Sequence, residues 1–171
     1  VWPAPTQLVR PSVPEAVHGP GRVHAWVVGP GLDASSRATG ARAQLDAARD
    51  ALAGSEPVVV DAGGLDLLDA AVLRTRADAV TLLTPHAGEC ARLLTRLGSE
   101  GEVTREQVQA RPLAHARALA GVTGATVLLK GATTLVVPPG EGATAWSQSD
   151  APAWLATAGA GDVLAGLLGT L

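Results

Sequence analysis

Residues 155–169 read LATAGAGDVLAGLLG, a run of small residues closing on an acid: Gly159, Ala160 and Gly161 precede Asp162. Small side chains leave the backbone N–H groups of a starting helix open, and those unsatisfied donors, with the helix dipole, favour a phosphate. Asp162 in the first turn either complements that dipole or accepts the proton of a hydroxyl attacking the phosphate, with Mg2+ nearby to offset the negative charges. A second segment, LLKGATT at 128–134, holds Lys130, the one lysine in a chain with 13 basic residues. Lysine offers a compact point charge, although an arginine-rich chain can retain one lysine by chance. Thr133 and Thr134 would give hydroxyls to a nucleotide or simply begin a strand. No G-x-x-x-x-G-K-[ST] occurs, so a P-loop is excluded as a motif.

Two further segments are candidates. GPGLDA at 29–34 satisfies G-x-G-x-x-A, with Asp61 about thirty residues on as a candidate for a ribose hydroxyl, against the usual spacing of about twenty. A tight strand-to-helix turn without a ligand explains the same glycines. In TPHAGE, 84–89, His86 and Glu89 share a helix face and either contact a polar ligand or cap the helix they begin. His18, His24 and His115 have no partners at metal-ligand spacing, so no metal site is expected, and Cys90 reads as a small core residue.

The elements that must position these residues alternate. Strands are expected at 24–28, 58–60, 80–83 and 125–129, with helices at 35–52, 65–77, 86–98 and 104–119, the last bent or restarted at Pro112. Antiparallel additions are expected at 133–137, 144–147 and 154–156, and the chain ends in a helix from 161 to 171. The Pro-rich opening reads as an edge segment followed by an irregular crossing. Strand–helix alternation implies right-handed βαβ units and a mostly parallel sheet covered by helices on both faces. Ligands of such sheets sit beyond the carboxyl ends of the strands, where Gly29, Asp61, Thr84 and Lys130 fall.

Composition bounds the answer. The 171 residues are 47% hydrophobic and 17% charged, enough apolar content for one packed domain over 1–171. Tryptophan is the only aromatic residue, so the core is built from Val, Leu and Ala. A net charge of -3 gives no basic field for nucleic acid, and no apolar run is long enough to cross a bilayer. The single cysteine fits a reducing compartment. With no methionine, the chain is expected to be a piece of something longer.

Taken in order, GPGL, VVVDAGGL, TPHAGE, LLKGATT and LATAGAGDVLAG resemble the ADP-dependent NAD(P)H-hydrate dehydratases, a branch of the ribokinase-like superfamily, from about Pro14 to the end. The resemblance implies a ribokinase-like α/β domain truncated at both termini. It implies a cytoplasmic carbon–oxygen lyase that returns the S epimer of hydrated NAD(P)H to NAD(P)H, consuming ADP, or ATP, with Mg2+ and releasing AMP and phosphate. On these positions Gly31 and His86 would contact the hydrated dinucleotide. Lys130, Gly131, Ala132, Thr133, Thr134, Gly159, Ala160 and Gly161 would bind the nucleotide, and Asp162 would face the substrate hydroxyl as the catalytic residue. A homo-tetramer and an associated NAD(P)H-hydrate epimerase are also implied. The sequence departs from the family at Ala153-Trp154, where Gly-Asn is usual, and at Gly63, where the family has a second Asp. A ribokinase-like kinase for a small alcohol would use the same GAGD, and a nicotinamide-dependent oxidoreductase would use GPGLDA alone.

Overall fold

The computed structural model describes residues 9–19, 21–33, 35–36, 40–98 and 101–171. Six strands form one sheet in the order β1-β2-β3-β4-β5-β6: β1 is Trp26–Val28, β2 Val58–Val60, β3 Thr81–Leu83, β4 Thr126–Leu129, β5 Thr134–Val137 and β6 Trp146–Gln148. The first four run parallel, in the registers Val28↔Val60 and Val60↔Leu83, and continue Leu83↔Val127. β5 and β6 then turn back as antiparallel additions. The parallel strands are short apolar runs because both of their faces are covered; Val58, Val59 and Val60 are all buried.

After β1 the α-helices among the described residues are α1 (Ala41–Ala53), α2 (Ala70–Thr75), α3 (Ala87–Leu97), α4 (Arg105–Ala110), α5 (Pro112–Thr123) and α6 (Ala160–Leu168). Parallel strands laid down in sequential order through right-handed crossovers place α1 to α5 on one face. There Leu52, Leu93, Leu119, Val60 and Val127 form the core. α6 returns across the sheet to β2, and its end packs on β1, where a Cβ on Gly169 would meet Val27. Val27 keeps 38% exposure, so this second face is the less covered of the two.

Local chemistry fixes the ends. Asp69 caps α2 by accepting from the N–H groups of Ala71 and Val72 at 2.8 Å. Thr104 and Gln107 close a capping box on α4, and Pro112 opens α5 at a position whose N–H has no helical partner. That proline divides the helix expected over 104–119, and α5 continues to Thr123 before Gly124 ends it at φ 66°. The helix expected over 65–77 is likewise two pieces, a 3-10 turn at Ala62–Leu67 and α2.

Two expectations are corrected. The strand expected at 154–156 is instead a 3-10 turn, Ala153–Leu155, because Leu155 N–H closes onto Pro152 O and Trp154 stands 75% exposed. The helix expected from Ser35 begins at Ala41, since Ser35 turns back onto Asp33 through its N–H and hydroxyl. Ala38, expected on its apolar stripe, and the first eight residues of the opening read as an edge segment lie outside the described residues.

Candidate functional site

Asp61, Thr84 and Lys130 each follow the last residue of a parallel strand, and the sheet brings their side chains together. Lys130 Nζ reaches across β3 to donate to Asp61 Oδ1 at 2.6 Å, and the Thr84 hydroxyl donates to the same oxygen at 2.8 Å. Asp61 is 1% exposed, whereas the Lys130 side chain keeps 22%. The backbone under this pair is tightly made. Asp61 N–H donates to Val28 O and Gly64 N–H to Asp61 O, both at 2.9 Å. A Cβ on Gly29 would fall 1.6 Å from Asp61 O, and one on Gly63 2.1 Å from Leu32 O. Gly29 and the two glycines of AGG are therefore required where two loops pass in contact. Ala62, next to Asp61, sits at φ 43°, a left-handed conformation uncommon for a residue with a side chain.

α6 starts over this pair. Gly159 is left-handed at φ 87° and no side chain caps the helix, so its opening amides are left for a partner from outside. Ala160 N–H bonds to Thr157 O at 3.2 Å, which removes one of the three amides expected to line an anion hole. A Cβ on Gly161 would lie 3.5 Å from Lys130 Nζ and 3.9 Å from Asp61 Oδ2. Asp162 is exposed on the first turn. The expected nucleotide segments thus converge: Lys130 and Gly161 face one another, while Gly131, Ala132 and Thr133 form the exposed bend that leads into β5. Thr134 begins that strand opposite Gln148.

His86 lies beside Lys130 in a parallel bridge, with Lys130 N–H donating to Pro85 O at 2.8 Å. His86 also caps α3. Its Nδ1 accepts from Gly88 and Glu89 N–H at 3.0 and 3.2 Å, and Glu89 Oε2 accepts His86 N–H at 2.8 Å. The neutral ring then carries its proton on Nε2, 3.5 Å from Glu89 Oε1 and on the exposed side. The capping reading of TPHAGE is the one observed, and a cap that uses Nδ1 is compatible with a ligand at Nε2–H. Gly31, at φ 74°, faces open space on the exposed turn after β1. No group of three His, Cys, Asp or Glu among the described residues could hold a metal, and no helix there is long and apolar enough to cross a membrane.

The sequence offers Asp61 as a candidate ribose ligand, beside a ligand-free reading of the same turn, and gives Thr84 no chemical role. The structure corrects the first, because Asp61 is buried and directed at Lys130. Among the described residues the strand order also lacks the reversal that makes a dinucleotide crevice. A signal for the network was present in the placement of an acid, a hydroxyl and the lone lysine at the ends of three strands.

The model of the NAD(P)H-hydrate dehydratase family matches residues 5–171. The chain belongs to this family. The bifunctional NAD(P)H-hydrate repair enzyme of Mycobacterium tuberculosis is 42% identical over 171 residues, covering 99% of this chain and 31% of that protein. The ADP-dependent (S)-NAD(P)H-hydrate dehydratase of Neisseria meningitidis is 40% identical over 152 residues, 87% of this chain and 47% of that protein. The chain therefore spans between about a third and about half of these relatives. The ADP/ATP-dependent NAD(P)H-hydrate dehydratase of Bacillus subtilis, co-crystallized with ATP and Mg2+, superposes with a TM-score of 0.72 at 24% identity, over 95% of this chain and 56% of that one. A ribokinase-like superfamily protein of Enterococcus faecalis gives 0.59 at 23% identity. These two likenesses carry the fold, which is that of the ribokinase-like proteins. Within the NAD(P)H-hydrate dehydratase family the Lys130–Asp61 pair and the open start of α6 form the site to interpret.

Proposed function

We propose that this chain carries the nucleotide site and part of the substrate site of an ADP-dependent (S)-NAD(P)H-hydrate dehydratase. The observation that carries the reading is the meeting of a held lysine, Lys130, with the uncapped N-terminus of α6, one turn of which bears Asp162. A partly exposed ammonium and free helix amides together make an anion site, and an exposed carboxylate beside it supplies a base. Family membership and the name of the Neisseria relative support ADP as the nucleotide and hydrated NAD(P)H as the substrate.

In this reading Lys130, the bend 131–133 and Gly161 bind the nucleotide, while Gly31 and His86 Nε2–H line the place of the hydrated dinucleotide. Asp162 accepts the proton of the substrate hydroxyl as its oxygen attacks the β-phosphorus of ADP. The bond to AMP breaks and the substrate becomes a phosphate ester. Hydroxide is a poor leaving group and phosphate a good one, so the carbon–oxygen bond then cleaves with its electron pair on phosphate. The neighbouring ring carbon loses a proton, the double bond is restored, and no electrons are exchanged with a second reagent. With no three-ligand cluster in the described residues, Mg2+ would be held chiefly by the nucleotide's own phosphate oxygens, where it neutralises their charge.

An associated epimerase acting on the other epimer completes the proposal, supported by the bifunctional repair enzymes among the relatives; a homo-oligomeric assembly and a cytoplasmic location rest on the family resemblance alone. The test is Asp162→Asn assayed for return of NADH absorbance from the hydrate in the presence of ADP. We expect turnover to fall by at least about 10²-fold with ADP affinity within about threefold of wild type. Retained turnover rejects Asp162 as the base, and a stable phosphorylated alcohol as the wild-type product points to a kinase instead.

A further inference from the structure

An ammonium that is to hold a phosphate gains nothing, by Coulomb's law alone, from a carboxylate 2.6 Å away. Asp61 nevertheless occupies that place, and the fold spends much to keep it there. Its N–H is tied to β1 through Val28 O, and its carbonyl to Gly64 N–H. Its Oδ1 is tied to the end of β3 through the Thr84 hydroxyl. Gly29 has no side chain where a Cβ would overlap the Asp61 carbonyl, and Ala62 holds a left-handed φ of 43° immediately after it. Strain of that kind persists only where the surroundings over-determine it, and it gathers at functional sites.

Lysine has a flexible four-carbon stem and three donors. One donor is spent on Asp61, and the ammonium remains open toward α6 because Gly161 contributes no side chain between them. We propose that Asp61 is a positioning residue for nucleotide recognition. It does not touch the nucleotide but fixes Lys130 Nζ so that the remaining N–H donors point at a phosphate lying over the start of α6. The stem's rotamer freedom is surrendered on folding rather than on binding, which is preorganisation. This inference rests on the nucleotide reading of the site.

Positioning and bare electrostatics predict opposite signs. Removing a negative charge beside an anion site should tighten ADP if charge alone matters, and should weaken it if Asp61 aims the lysine. The test is the ADP dissociation constant, by titration calorimetry, of wild type, Asp61→Ala, Asp61→Asn, Lys130→Met and the Asp61→Ala/Lys130→Met pair. We expect Asp61→Ala to bind about tenfold more weakly, the loss of one charge-assisted contact. Asp61→Asn keeps an oxygen for both Thr84 and Lys130 and should fall between the two. The double variant should bind no more weakly than Lys130→Met, because Asp61 acts only through the lysine. If Asp61→Ala does not fold, Asp61→Asn carries the same sign test.

Equal or tighter binding by the Asp61 variants, or a loss that adds in full to that of Lys130→Met, overturns the positioning role while leaving the nucleotide site standing. Wild-type affinity in Lys130→Met defeats the nucleotide reading itself, and the positioning role with it.

Discussion

Two cations sit at opposite ends of the same sheet and are satisfied in opposite ways. Below β2 and β3, Arg76 is 3% exposed and donates to Gly54 O and Glu56 O at 2.7 Å, to Thr81 Oγ1 at 3.0 Å and to Val80 O at 3.3 Å. The carbonyls of Ala51 and Leu52, at 3.4 and 3.5 Å, complete its surroundings. These include carbonyls left without partners at the end of α1, so Arg76 staples that end to the start of β3 and has no donor left for a ligand. Above the same strands, Lys130 meets one carboxylate, keeps 22% exposure and has only a glycine, Gly161, facing its ammonium. Burial of a charge is thus a poor marker of a site. The marker is a charge held firmly by part of its bonding capacity, with the rest directed at open space.

That contrast can be broken by substitution. Arg76→Ala should have the largest effect, costing about 3 kcal/mol or more of unfolding free energy in a denaturant titration, because several buried carbonyls lose their donor. ADP affinity of the folded fraction should stay within about twofold. If Arg76→Ala leaves stability intact, or weakens ADP as Lys130→Met does, the two ends do not differ as described. Gly161→Ala should show the reverse. Its Cβ finds ordinary contact distances, and alanine favours a helix by about 1 kcal/mol, so stability should hold or rise while ADP affinity falls about tenfold. Unchanged affinity would show that the gap over Lys130 is not used.

The smallest effect concerns Cys90, on the core side of α3. Burial pushes its thiol up to about 12. The native state therefore holds the neutral thiol, and its contribution to stability is complete below the ordinary thiol value of 9.0 and is lost as pH rises from there toward about 12. Native protein at pH 8 should resist iodoacetamide and become reactive only on unfolding. Rapid native labelling would place Cys90 outside the core.

The parallel strands were legible because Val58–Val60 and Ala125–Leu129 are apolar runs bounded by turn residues, and the C-terminal strand ends pointed to the right edge of the sheet. The divided helix at Pro112 was foreseen for the reason observed. Other features depend on distance in space rather than spacing in sequence. Asp61 and Lys130 are 69 positions apart, and nothing local tells a ribose ligand from a buried counter-ion. Gly29 reads as part of a phosphate fingerprint until Asp61 O is found where its side chain would be. Arg76 looked like any other arginine in a helical stretch, since its partners lie on α1, the following bend and β3.

A crystal structure of the protein soaked with ADP tests the central claim most directly. The account predicts phosphate oxygens within hydrogen-bond distance of Lys130 Nζ and of the first free amides of α6, with Lys130 still paired to Asp61. ADP seated elsewhere would contradict it. The open groove of about 400 Å3 on the flank of α3, lined by Arg92, Arg96 and Arg105, is the competing place for an anion, and phosphates there with Lys130 uncontacted would refute this site.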